Sequence, residues 1–153
     1  AEEIGYKPEI ILSGRKINDS MSNYVCEKLL EEFKKRELNL QNQKILIMGL
    51  SFKENCNDLR NTQVINIHNI LKKQQFEIDI YDPIANKKEA KKIYNIKILN
   101  EPKKNYYNAV IIAVAHNIFK EIGIRGIKKY CADDAIIYDL KYLLTKEDSD
   151  IRL

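Results

Sequence analysis

Glycine is scarce in this sequence, with five in 153 residues, and where it is missing carries information. Gly49 follows the first strongly apolar stretch, but Ser51 and Glu54 stand where a G-x-G-x-x-G fingerprint needs its other glycines. No Gly-Lys-Ser/Thr opens the next helix either, so the Walker pattern is absent too. A backbone cradle for a dinucleotide or ATP of the familiar kind is thereby excluded at this first turn. Cysteine is equally sparse: Cys26, Cys56 and Cys131 are an odd, widely spaced set with no C-x-x-C. That argues against a disulfide framework or a zinc site and for a reducing, cytoplasmic setting. No apolar run approaches the roughly 20 residues of a membrane span. Glu2 and Glu3 sit where a signal peptide would carry positive charge. Neither a membrane nor secretion is expected.

What the chain does contain is a globular composition, 44% hydrophobic and 31% charged, long enough to bury a core without staples. Its net charge of +4 comes from lysines scattered among acids. A nucleic-acid stripe would gather them on one face, so no nucleic-acid partner is expected.

Residues 1–12 show no period. From Ile17 to Phe33, apolar residues at steps of three and four (Met21, Tyr24, Val25, Leu29, Leu30, Phe33) predict a helix of about five turns. A polar linker, Asn39 to Gln43, sets the boundary between residues 1–40 and a second unit, 41–153. There the pattern alternates. Strands are expected at Ile45–Met48, at Phe76–Ile80 closed by Tyr81-Asp82-Pro83, weakly at Ile96–Leu99, at Ala109–Ala115 and at Ala135–Tyr138. Helices fall between them: one from Val64 with Thr62 or Asn61 as N-cap, one over Asn86–Tyr94, and one or two over His116–Tyr130, broken near Gly123 and Gly126. Strands separated by helices imply a parallel sheet. The expected fold is an α/β, Rossmann-like three-layer domain preceded by a long helix. The stripe of that helix must be covered by this domain, by a second copy or by another domain.

Candidate site residues follow from position. The loop after the first strand carries Lys53 and Arg60, at the edge where α/β sheets bind ligands. Two cations in a glycine-poor loop suit an anionic ligand held by side chains, Lys53 as a point charge and Arg60 as a fork. Alternatively Arg60 pairs with Asp58 or Glu54 and orders the loop; since ion pairs in loops are common, the residues alone lean that way. Lys141, after the last strand, reaches the same edge. Asp82 is expected to brace its turn as an Asx residue. His116, at the end of the central strand, His68, and the three cysteines are read as structural, and no catalytic or metal-binding residue is assigned.

Taken together, GLSFKENCNDLRNT, YDP, AVIIAVAH and IIYDLK resemble the C-terminal, UDP-binding domain of the UDP-glucose/GDP-mannose dehydrogenase family. The earlier YKPEIILSGRKINDSM is similar to the branch that oxidises UDP-N-acetylhexosamines in bacterial surface polysaccharide (capsule, O-antigen) synthesis. The resemblance implies a three-part enzyme: an NAD-binding domain, a long central helix that makes a homodimer, and a C-terminal domain that binds the UDP-sugar. It implies oxidation of the sugar C6 alcohol to a carboxylate through a cysteine-bound thiohemiacetal and thioester. The family's Phe-Lys pair matches Phe52 and Lys53, its D-x-R matches Asp58 to Arg60, and Lys141 falls where a cation reaches the nucleotide. Arg15 and Asn18 match the start of the central helix. No cysteine here has the catalytic Gly-Gly-x-Cys context, so this piece alone is expected to be inactive, with NAD bound mainly by a domain outside it. The alternative from another class is a stand-alone, non-catalytic module that dimerises and binds a nucleotide.

Overall fold

The computed structural model describes residues 9–153, with side chains from Leu12 onward. Residues 1–8, and with them the readings on Glu2 and Glu3, lie outside it. Helix α1 (Glu9–Lys35) is longer than its periodicity predicts, starting eight residues before Ile17. The reason lies in its surroundings: residues 13–20 are all exposed, so no buried stripe marks this part of the helix in the sequence. From Ser22 the spacing takes hold, and Ser22, Val25, Cys26, Leu29 and Phe33 are buried on one face. Lys34 and Lys35 close the helix, where cations suit the negative end of the dipole.

The remaining elements are β1 (Lys44–Met48), α2 (Val64–Lys73), β2 (Glu77–Tyr81), α3 (Lys87–Tyr94), β3 (Ile98–Leu99), β4 (Tyr107–Ile112), α4 (Asn117–Lys128), β5 (Cys131–Asp139) and β6 (Ile151–Arg152). All neighbouring strands pair in parallel, in the order β3-β2-β1-β4-β5-β6. This is the doubly wound order of a Rossmann fold. Alternate residues of each strand feed opposite layers. Ile45 and Ile47 join Leu29, Phe33 and Leu71 on the side of α1 and α2, while Leu46 and Met48 join Phe119 and Ile127 of α4 on the other. Central strands covered on both faces read as unbroken apolar runs, as β1 does.

Boundaries moved where pairing, rather than hydropathy, decides. β4 stops at Ile112 instead of Ala115, because its neighbour β1 ends at Met48, whose carbonyl accepts from both Ala113 and Val114. β5 begins at Cys131, four residues before the expected Ala135, through a polar stretch holding Asp134 in the left-handed region (φ 58°). β6, two residues long, gave no periodic signal. The N-cap position of α2 is Gln63, not Thr62 or Asn61; Thr62 Oγ1 accepts from Val64 N at 3.3 Å one residue earlier. The break expected in α4 is real and lies at Gly123 (φ 60°, ψ −176°).

Gly49 is the residue on which β1 turns out of the sheet. Its φ is +97°, and a Cβ there would lie 2.5 Å from the Cβ of Val114. Gly49→Ala combines backbone strain with overpacking, an expected loss of about 2–3 kcal/mol. A urea midpoint lowered at unchanged slope checks it.

Candidate functional site

In a doubly wound sheet the crevice opens where the strand order reverses, outside the carboxyl ends of the strands. Here that point lies between β1 and β4. A cleft of about 310 Å³ sits there, walled by the β1–α2 loop, the start of α2, the ends of β4 and β5, and α1. Its size is at the lower end for a small-molecule site. Its lining includes the apolar residues Met21, Val25, Ile67, Val114 and Leu140. It also includes the Lys53 and Lys141 cations with Asn18, Asn61 and Thr62. A lining that mixes apolar side chains with two cations is suited to a ring joined to an anionic group.

The loop bearing Lys53 is shaped by a buried carboxylate. Asp82, fully buried at the end of β2, takes six donors. Its Oδ2 accepts from Leu50 N (2.7 Å), Ser51 N (3.0 Å), Ser51 Oγ (2.8 Å) and His116 Nε2 (3.1 Å). Its Oδ1 accepts from Ile84 N and Ala85 N, both at 2.9 Å. The expected Asx role is therefore present, but it is the smaller half of what Asp82 does. Burial pushes its pKa up; the bonds from His116 and the Leu50, Ser51 and Ala85 amides outweigh that and hold it well below the usual carboxylate range. A second carboxylate does the same at β5. Asp139, also fully buried, accepts from Lys141 N (3.0 Å) and Leu144 N (2.8 Å), shaping the turn that presents Lys141. Asp139 was missed in the sequence, although the repeated Tyr-Asp at two strand ends (Tyr81-Asp82, Tyr138-Asp139) was its signal.

Of the four residues named from sequence, Phe52, Lys53 and Lys141 come together at the cleft, with Phe52 57% exposed. Arg60 does not line it. Its guanidinium forks onto Asp58, with Nη2 to Oδ2 at 2.8 Å and Nε to Oδ1 at 3.0 Å, and its side chain is 76% exposed. That bond lowers the Asp58 pKa to about 2. Asn18 also lines the cleft, while Arg15 is exposed.

Elsewhere, His68 is buried on α2, where desolvation lowers its pKa. Cys26 is buried, which pushes its thiol up to about 12, and Cys131 is pushed up to about 11 for the same reason. Neither is a poised nucleophile. Among the described residues, no helix is long and apolar enough to cross a membrane.

The family model for the UDP-glucose/GDP-mannose dehydrogenase family, UDP binding domain, matches residues 46–146. The chain is 43% identical over 153 residues to the UDP-N-acetyl-D-glucosamine 6-dehydrogenase of Salmonella typhi, covering 100% of this chain and 36% of that protein. It is 34% identical over 151 residues to Protein CapL of Staphylococcus aureus, covering 99% of this chain and 35% of that one. Among solved structures, the NDP-N-acetyl-D-galactosaminuronic acid dehydrogenase of Methanosarcina mazei Go1 superposes with a TM-score of 0.79 at 17% identity, covering 94% of this chain and 30% of that one. The UDP-D-ManNAc dehydrogenase of Pyrococcus horikoshii gives 0.73 at 22% identity, covering 92% and 32%. At such identities the structures show a shared fold. The chain spans about a third of the length of the curated relatives it matches. With the matched region running from inside β1 to just past β5, the chain belongs to the UDP-glucose/GDP-mannose dehydrogenase family and carries its UDP-binding domain.

Proposed function

We propose that this chain is the UDP-sugar-binding part of an NAD-dependent UDP-N-acetylhexosamine 6-dehydrogenase of bacterial surface-polysaccharide synthesis, acting in the cytoplasm. In this reading residues 1–40 end the central helical region and residues 41–153 form the UDP-binding domain. The observation that carries it is the convergence of Phe52, Lys53 and Lys141 on one cleft at the switch point of the sheet. Lys53 and Lys141 balance the diphosphate, and Gln63 and Val64, at the amino end of α2, line the same space. Arg60 joins them by exchanging Asp58 for the ligand, a release that costs little because the pair is exposed to water. The sugar class rests on relatives named for N-acetylglucosamine and N-acetylmannosamine substrates.

NAD has no cradle in these residues. The single glycine of the β1–α2 loop is packed against Val114, and side chains stand at Ser51 and Glu54. The dinucleotide is assigned to the part of a longer protein that the relatives have and this chain does not span.

A calorimetric titration of the chain with UDP tests the reading. Saturable one-to-one binding supports it, and no heat at millimolar UDP overturns binding by this chain alone.

Self-association through α1 belongs to the same proposal. Ile17, Met21 and Tyr24 are 62%, 40% and 45% exposed and recur at helical spacing, while the opposite face is buried on α2 and the sheet. The chain is expected to sediment as a dimer and Met21→Glu as a monomer. A monomeric parent chain at high concentration, with the helix formed, would rule this out.

A further inference from the structure

We propose that His116 is a positioning residue for the ligand loop, latching residues 51–55 so that Phe52 and Lys53 stand ready at the cleft. The proposal rests on the UDP-binding reading given above. His116 is fully buried where β4 passes into α4, 65 residues from Ser51 in sequence. Its Nδ1 accepts from the backbone N–H of Asn55 at 2.9 Å. A backbone amide can only donate, so Nδ1 carries no proton and the ring's proton is on Nε2. That nitrogen faces Asp82 Oδ2 at 3.1 Å, with Ser51 Oγ 3.3 Å away. The imidazole therefore joins the far end of the loop to the carboxylate that already holds its near end. The ring is steadied by an edge contact with Phe119, centroids 5.3 Å apart.

Asn55 completes the latch. Its side-chain Oδ1 accepts from Asn117 N at 2.9 Å, in the first turn of α4, and its own backbone is left-handed (φ 54°). The two bonds at Asn55 offset the strain of that conformation. Between the pinned residues 51 and 55, Phe52, Lys53 and Glu54 are exposed. A loop held in advance costs less to order when a ligand arrives. A histidine suits this place because its two nitrogens address two elements at once, one accepting and one donating.

Two near-isosteres separate the two bonds. The amide of asparagine lies near the place of Nδ1, and that of glutamine near Nε2. His116→Gln keeps a donor for Asp82 but loses the acceptor for Asn55, and His116→Asn does the reverse. UDP affinity by calorimetry is expected to fall about tenfold in His116→Gln and to stay within about threefold of the parent in His116→Asn. Asn55→Gly, at an exposed position whose positive φ glycine accepts, removes only the Asn117 bond. It is expected to weaken UDP about threefold with the melting temperature preserved. Amide hydrogen exchange by NMR reads the latch without ligand: the Asn55 amide, protected in the parent and in His116→Asn, should exchange freely in His116→Gln.

Equal Asn55 protection in both His116 variants would overturn the proposal, as would affinities that merely follow melting temperature. If the parent chain binds no UDP, binding by this chain alone fails, and the exchange result still decides whether His116 holds the loop.

Discussion

UDP affinity is expected to fall between about 10- and 100-fold in Lys53→Ala, the cost of one charge-assisted bond to phosphate. The side chain is exposed at the mouth of the cleft, in a loop whose backbone is held by Asp82 and His116 rather than by the lysine itself. Removing it should therefore leave the melting temperature unchanged, which separates loss of a ligand contact from loss of fold. Lys53→Arg should recover part of the affinity, since the charge remains but the fork replaces a compact ammonium. Calorimetry on the three chains at one ionic strength is the measurement. Equal affinities would remove Lys53 from the site and leave the cleft's charge to Lys141.

Asp82→Ala is expected to cost about 3–5 kcal/mol of stability, in the range for breaking a fully buried, hydrogen-bonded charge. Four backbone amides, three of them on buried residues, lose their acceptor together with a hydroxyl and an imidazole. Urea denaturation checks it, the midpoint falling far more than for Asp58→Ala, whose partner Arg60 is on the surface. Acidity acts on the same group. The folded chain holds Asp82 below its ordinary value of 3.8, so the unfolded chain takes up the proton first. The contribution is thus complete above the ordinary carboxylate range and is lost as the pH falls below 3.8 towards the folded-state value. The parent should show that slope, and Asp82→Asn, which cannot titrate there, should lack its share. Coincident slopes would mean the carboxylate is not held in its charged form.

The sequence made the parallel α/β domain legible because its signals are local. Ile45–Met48 and Ala109–Ile112 are unbroken apolar runs that only strands covered on both faces sustain, and Gly49 is the residue a sharp exit from β1 requires. It also brought Lys53 and Lys141 to one edge, since both follow strands of a parallel sheet. For Arg60 the residues gave only a lean, from how common ion pairs in loops are, towards the Asp58 pair found here. Whether its guanidinium faces Asp58 or the cleft is a choice among side-chain rotamers, and spacing does not encode it. The bare start of α1 escaped for a related reason, because an exposed helix has no buried face to set a period.

By itself, then, the sequence determined the order of elements, the sheet's polarity and the loops that carry the cations, all of which follow from residue-scale hydropathy and backbone chemistry. The tertiary structure alone decided the strand order, and with it the crevice between β1 and β4. It also decided the packing of α1 that walls the cleft and the joining of Ser51, Asn55, Asp82 and His116 into one network. These depend on side chains tens of residues apart meeting in a dry interior. There the cost of an unpaired polar group selects one arrangement, and no local pattern records which partners will meet.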